Sequence, residues 1–443
     1  MAPCLKCGEH PAAGGEKLQM CGGCLTAVYC SRVCQRADWA DHRVVCETLA
    51  ATRDGAVRSL VIAAHDGDLQ EVKALIGVGS KVNKAVEGWT PLMSASRRGH
   101  EAVVAALLGA GSDVNRTVPE TGTTALLLAS QHGESAVVMA LLEAGSDPNE
   151  AEVEKCTALM FASHGGYGAI VTALLAAGSD ANLTRLDGFT ALMFAACKGF
   201  SEVVTALLEA GAEVNTANDQ GDTALIYAAH KGYLSVVTAL LEAGAEVDTA
   251  NAKGYTALTL TAGEGHGAVV AALLQAGAKV DATGDGYTSL YQAASNGHEV
   301  VLATLLRASA DVDKAATRGE TPLMVASQKG YEAVVMALLQ AGSDPNRTRV
   351  DKCTALMLAS QGDHGAIVTA LLAAGSDTSL TRFDGFTALM LAAYKGYLAV
   401  VTALLEAGAE VDTVDDRGNT ALTLAAAEGH GAVVSALRLG RQG

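Results

Sequence analysis

Along most of the chain, apolar residues recur at i, i+3 and i+4, the spacing of a helix that buries one face. The best-formed stretch reads Ala191-Leu192, Ala195-Ala196, then Val203-Val204 and Leu207-Leu208, with Lys198-Gly199 between the runs. It predicts two short helices joined at a glycine turn. The pattern then repeats. The leucine of a Thr-Pro/Ala-Leu triad recurs at Leu92, Leu126, Leu159, Leu192, Leu225, Leu258, Leu290, Leu323, Leu356, Leu389 and Leu422, at intervals of 32 to 34 residues. A degenerate first copy holds Leu60 and the Ala63-Ala64 pair, which makes twelve copies, the last cut short at Gly443. A two-helix unit of this size buries its apolar face only by stacking on its neighbours, so the period predicts a repeat array.

Each part of the unit has a mechanical task. Asp187-Gly188 suits a tight turn, and Thr190 caps the first helix. The Ala195-Ala196 pair lets neighbouring helices approach closely. Gly199 relieves the turn between helices, and Gly211 ends the second helix with positive φ. These residues resemble the ankyrin repeat family. The resemblance implies a mainly α chain, an α-solenoid whose groove binds other proteins. There are departures. The family often has His after the motif Leu, where this chain has Met93, Met160, Met193, Met324, Met357 and Met390. These Met are read as core packing. Family Pro survives only as Pro91 and Pro322, and Asp363 stands where a turn glycine belongs, beside Gly362. A longer period is also present: residues 139–192 closely match 336–389, which pairs Cys156 with Cys353 and Phe189 with Phe386. A block of repeats has been duplicated as a unit.

Composition agrees. Half the residues are apolar but only 4% are aromatic, and 48 Gly accompany 7 Pro, as expected for many short helices with glycine caps. The net charge is −17, and residues 1–50 are balanced, so the excess lies in the array. Such a surface repels phosphate backbones and makes direct nucleic-acid binding unlikely. No apolar run is long enough to span a membrane. The N-terminus enters Cys4 and Cys7 without a hydrophobic core, so no signal peptide is expected and the chain is read as intracellular, cytoplasmic or nuclear. Asn-x-Thr triplets at Asn115, Asn182 and Asn346 match the glycosylation pattern but carry no role in such a chain.

Seven of the ten cysteines lie in the first 46 residues, in pairs: Cys4 and Cys7, Cys21 and Cys24, Cys30 and Cys34, with His42 and Cys46 completing the set. Four pairs supply eight ligands, enough for two tetrahedral Zn²⁺ sites. With every position filled by protein, neither ion keeps an open site for catalysis. A disulfide framework is disfavoured by the odd thiol count and the matched His. These residues, together with Tyr29, Gln35, Asp38-Trp39 and the spacing across 4–46, resemble a MYND-type zinc finger. The resemblance implies a cross-brace. Cys4, Cys7, Cys30 and Cys34 would hold one Zn²⁺, and Cys21, Cys24, His42 and Cys46 the other. It also implies a peptide groove at Gln35 and Trp39. Gly22 stands where the family sometimes has Ser.

The expected organisation is therefore a finger over 1–46, a connector over 47–57 and an array over 58–443. No phosphate loop, dinucleotide loop or nucleophile elbow is visible, so no enzyme and no small-molecule substrate is expected. The function expected is a zinc-binding adaptor or scaffold whose partners are other proteins. The alternative is a transcriptional co-regulator recruited through the finger without touching DNA. Within the array the residue before the motif Thr is aromatic at Trp89, Phe189, Tyr255, Tyr287 and Phe386. Basic residues end the first helices at Arg97, Arg98, Lys198, Lys231, Lys329 and Lys395. Together they suggest an aromatic and basic partner-binding stripe along the hairpins.

Overall fold

The structure is a computed structural model that describes residues 19–20, 28–29, 60–86 and 88–441. Among these residues it is mainly α, with 24 helices in twelve antiparallel pairs. The chain divides into two compact units, 1–213 and 214–443. The first holds five pairs, from Leu60–Asp66 with Leu69–Gly77 to Ala191–Lys198 with Ser201–Glu209. The second holds seven, from Ala224–His230 with Leu234–Glu242 to Ala421–Ala427 with Gly431–Gly440. A short antiparallel pair, Gln19–Met20 with Val28–Tyr29, lies near the N-terminus.

The first helix of each full repeat starts where the motif Thr stops being extended. Thr190 has φ −102° and ψ 167°, and its hydroxyl accepts the Met193 N–H at 3.2 Å. This satisfies one of the N–H groups that no helix can pair internally. Pro91 and Pro322 occupy the first turn, where the missing N–H is not needed. The helix Ala191–Lys198 ends at Gly199, φ 79°. The second helix follows at once and leaves through Gly211, φ 86°.

Burial follows the repeat. Leu192 and Met193 are 1% exposed, Ala195 and Ala196 are 0%, and Val204 and Leu207 are 0%. All six Met of the ladder are buried to the same degree, which makes them core residues. Their flexible side chains fill the space between first helices.

Two polar ladders bind successive repeats. In the first unit the Asn149 side chain accepts the Asp180 N–H at 2.8 Å and donates to Gly178 O at 3.1 Å. Asn115 and Asn182 do the same one repeat to either side. In the second unit Asn346 accepts from Asp377 at 2.7 Å and donates to Gly375 O at 3.0 Å. The three Asn-x-Thr asparagines are thus structural ties. The second ladder uses the residue after the inter-helix turn position, which is glycine in each case but Asp363 before His364. His298 Nε2 contacts Gly263 O at 2.9 Å, and His100, His266, His364 and His430 repeat the contact in their own repeats.

Hairpins connect the pairs. Thr283–Gly284 pairs with Tyr287–Thr288, and isolated bridges such as Ala151 with Thr157 and Thr184 with Thr190 mark the others. Their tips form one edge of each unit.

Candidate docking cleft on the hairpin edge

The hairpins are held as a staircase by their backbones. In the second unit the Val350 N–H donates to Arg318 O at 3.0 Å, and the Phe383 N–H to Asp351 O at 3.2 Å. In the first unit Val153 donates to Thr121 O at 2.9 Å, and Leu186 to Glu154 O at 3.1 Å. Each of these four apolar residues sits at a tip and is turned outward. Val153 is 65% exposed, Leu186 60%, Val350 69% and Phe383 61%.

In the second unit this edge forms an open groove of about 600 Å³, lined by Tyr287, Arg318, Glu320, Arg349, Val350, Asp351 and Phe383. Its floor is rigid. Tyr287 stacks on Tyr291 with ring centroids 4.8 Å apart. The Tyr291 hydroxyl donates to Glu320 Oε2 at 2.6 Å, and Arg349 Nη1 lies 3.3 Å from Glu320 Oε1. Arg349 Nε reaches Asp351 Oδ1 at 2.7 Å. Burial and the bond to Glu320 push the Tyr291 hydroxyl well above the usual phenol range. The Arg349 guanidinium holds the Asp351 carboxyl below its ordinary value. Lys352 Nζ stands 5.3 Å from the Phe383 ring centre. The groove therefore places exposed apolar side chains beside charges held by ion pairs.

The five aromatics of the expected stripe are less available than their sequence position suggests. Trp89 is 9% exposed, with the Arg97 guanidinium 5.8 Å from its ring. Phe189 is half-buried, 5.1 Å from Phe194, and Arg185 lies over both rings. Arg185 in turn pairs with Asp187. Phe386 repeats this with Arg382 over its ring at 5.5 Å. Tyr255 packs on the next hairpin, where a side chain at Gly284 would meet its ring at 2.3 Å. Of the five, only Tyr287 lines the groove. The outward apolar residues lie three positions earlier. A signal was present in the sequence: the position four before the motif Thr is Val, Leu, Val and Phe in the two halves of the duplicated block.

Lys198 and Lys231 are exposed, each in its own unit. Lys329 is tied to Ser295 O at 2.6 Å, and Lys395 lies 5.7 Å from the Tyr394 ring. Cys156 and Cys353 are buried free thiols, 6% and 1% exposed. Burial, reinforced by Glu152, pushes the Cys156 thiol up to about 11.

The eight expected zinc ligands, with Gln35 and Trp39, lie outside the described residues. The one described feature of that segment is the ladder pairing Gln19 with Tyr29, whose strands flank the Cys21 and Cys24 pair and end just before Cys30. The donor set fits zinc: seven thiols and one imidazole in four close pairs.

A family profile described as "Ankyrin repeats (3 copies)" matches overlapping segments that together run from residue 60 to 441. A second, described as "MYND finger", matches residues 4–46. Among solved structures, the ankyrin repeat domain of human ASB11 is 26% identical. The match covers 49% of this chain and 96% of that one, at a TM-score of 0.45.

Proposed function

The chain belongs to the ankyrin repeat family, with a MYND zinc finger ahead of the repeats, and from that premise we propose that it is an adaptor joining two protein partners. The finger takes one partner peptide through Gln35 and Trp39. The array takes another along its hairpin edge. The observation that carries this reading is the groove of the second unit, where Val350 and Phe383 stand exposed beside fixed charges. Large apolar side chains are seldom left outward next to one another unless something covers them. The aromatic and basic stripe of Trp89, Phe189, Tyr255, Tyr287, Phe386, Lys198 and Lys231 would support the same edge, mostly as a rigid backing.

The finger's role in this reading is structural as well. Its segment is too short to bury a core that offsets the cost of ordering the chain. Zinc binding supplies that stability, with eight ligands divided between two ions as the cross-brace implies. The closed ligand sets leave no open coordination position for chemistry.

The test uses the zinc-loaded full chain. Proximity labelling recovers partners from cells, and the same screen is repeated with Trp39→Ala, with Val350→Ser/Phe383→Ser in the groove and with Lys198→Glu/Lys231→Glu on exposed residues. Each finger or array variant should lose its own set of partners and keep the other, with melting temperature nearly unchanged. Loss of no partner in either class, or loss of both only when the fold melts, would remove the adaptor reading.

A further inference from the structure

The duplicated block contains its own comparison. Residues 139–192 and 336–389 share most positions, but four of the five positions 150–154 differ, and all four lie in the hairpin. Glu150, Glu152 and Glu154 of the first copy correspond to Arg347, Arg349 and Asp351 of the second. Over 149–156 the first hairpin carries three carboxylates against one lysine. Over 346–353 the second carries three basic groups against one carboxylate. The backbone staircase recurs in both copies, and so does an outward apolar pair, with Leu186 of the first standing where the second has Phe383. The sign of the charge beside that pair is reversed.

The reversal falls where a ligand would feel it. In the second unit Glu320 and Asp351 are already occupied by Arg349 and, for Glu320, by the Tyr291 hydroxyl. That leaves three exposed basic residues on these hairpins: Arg318, which lines the groove with Val350 and Phe383, Lys352, whose Nζ stands 5.3 Å from the Phe383 ring, and Arg347, three residues before Val350 in the same hairpin. In the first unit Glu152 is half-buried beside Glu154, and its carboxyl is raised by burial first and by that neighbour second. An incoming carboxylate there would add a like charge to a crowded pair.

We propose that the second-unit cleft binds an extended acidic peptide segment of a partner protein, seating one large apolar side chain between Val350 and Phe383 and its carboxylates against Arg318, Arg347 and Lys352. The corresponding edge at Val153 and Leu186 rejects the same segment through Glu150, Glu152 and Glu154. The array thus uses a duplicated scaffold with one copy accepting and one refusing a given charge. This rests on the adaptor reading and specifies its array partner.

The test titrates the full zinc-loaded chain with two synthetic peptides that share a Phe-Leu centre, one flanked by Glu and one by Lys. The Glu peptide should bind once per chain and weaken with salt. Arg347→Glu, on an exposed residue, and Phe383→Ser should each weaken it about ten-fold with melting unchanged. Glu150→Arg/Glu152→Arg should create a second site for the Glu peptide. Equal binding of both peptides, indifference to Arg347→Glu and Phe383→Ser, or no second site after the transplant overturns the proposal. So does a dimer of the chain that these substitutions dissolve, because the cleft would then hold a second copy. A displayed random-peptide library run on the same protein separates the two levels of the argument. Library peptides that bind the array but ignore these variants leave the adaptor reading standing and sink this one. Failure of the library and of both synthetic peptides to bind the array sinks both.

Discussion

At single residues, backbone handedness decides more than chemistry. Gly199 sits at φ 79° and Asp363 at φ 60°, in equivalent turns between helices. A side chain in the left-handed region costs about 1–2 kcal/mol, somewhat less for Asp. Asp363→Gly should therefore stabilise the array by roughly 0.5–1 kcal/mol despite the more flexible unfolded chain, and Gly199→Ala should destabilise it by about 1 kcal/mol or more. Denaturant midpoints of the two variants check the signs, and the account fails if Asp363→Gly lowers the midpoint. Thiol chemistry gives a second test. Cys197 is half-buried, whereas Cys156 and Cys353 are buried and their thiols are pushed up. Brief alkylation of the native chain near pH 8, mapped by mass spectrometry, should label Cys197 ahead of the other two. Rapid labelling of Cys353 would contradict the packing described.

At the scale of elements, each repeat is a short helix pair that has little stability alone. The Asn and His ladders supply polar ties that the apolar stripe cannot, because they fix one repeat against the next in one register. Asn346 makes two such bonds, to Asp377 and Gly375. Asn346→Ala should cost about 1–2 kcal/mol, and Asn346→Asp, which keeps the acceptor alone, about half of that. Hydrogen exchange should rise locally, at the Asp377 amide first. Unchanged protection there would show that the tie contributes nothing.

For the whole molecule, stability has two independent sources. The array is held by stacked apolar faces, whereas the finger, in the function proposed above, would draw its stability from metal. Metal analysis of purified chain should return two zinc per molecule. Full chelation should unfold the finger, whose stability comes from binding on the order of 10 kcal/mol per structural site. The helical signal of the array should survive. One zinc per chain, or loss of the helical signal on chelation, would overturn this division.

The sequence by itself determined the repeat, because the period, the capping Thr and the turn Gly are local devices that act within a few residues. It also carries the MYND finger pattern over residues 4–46, since the spacing of the paired cysteines is local too, and the eight ligands proposed there rest on that pattern. The Met ladder was legible as core for the same reason: it shares the phase of the buried Leu. What the sequence could not place was the outward face of the hairpins. Phe189 and Phe386 look like interface anchors by position, yet their rings fold back under Arg185 and Arg382. Val350 and Phe383 share an apolar position four before the motif Thr, and it is they that stand in solvent, lining the groove. Which side of a turn a side chain takes depends on the preceding hairpin, whose carbonyl receives the N–H of Val350 or Phe383 one repeat later. That partner lies 32 residues away in the chain, so only the stacked structure brings it into contact and decides which residues face outward.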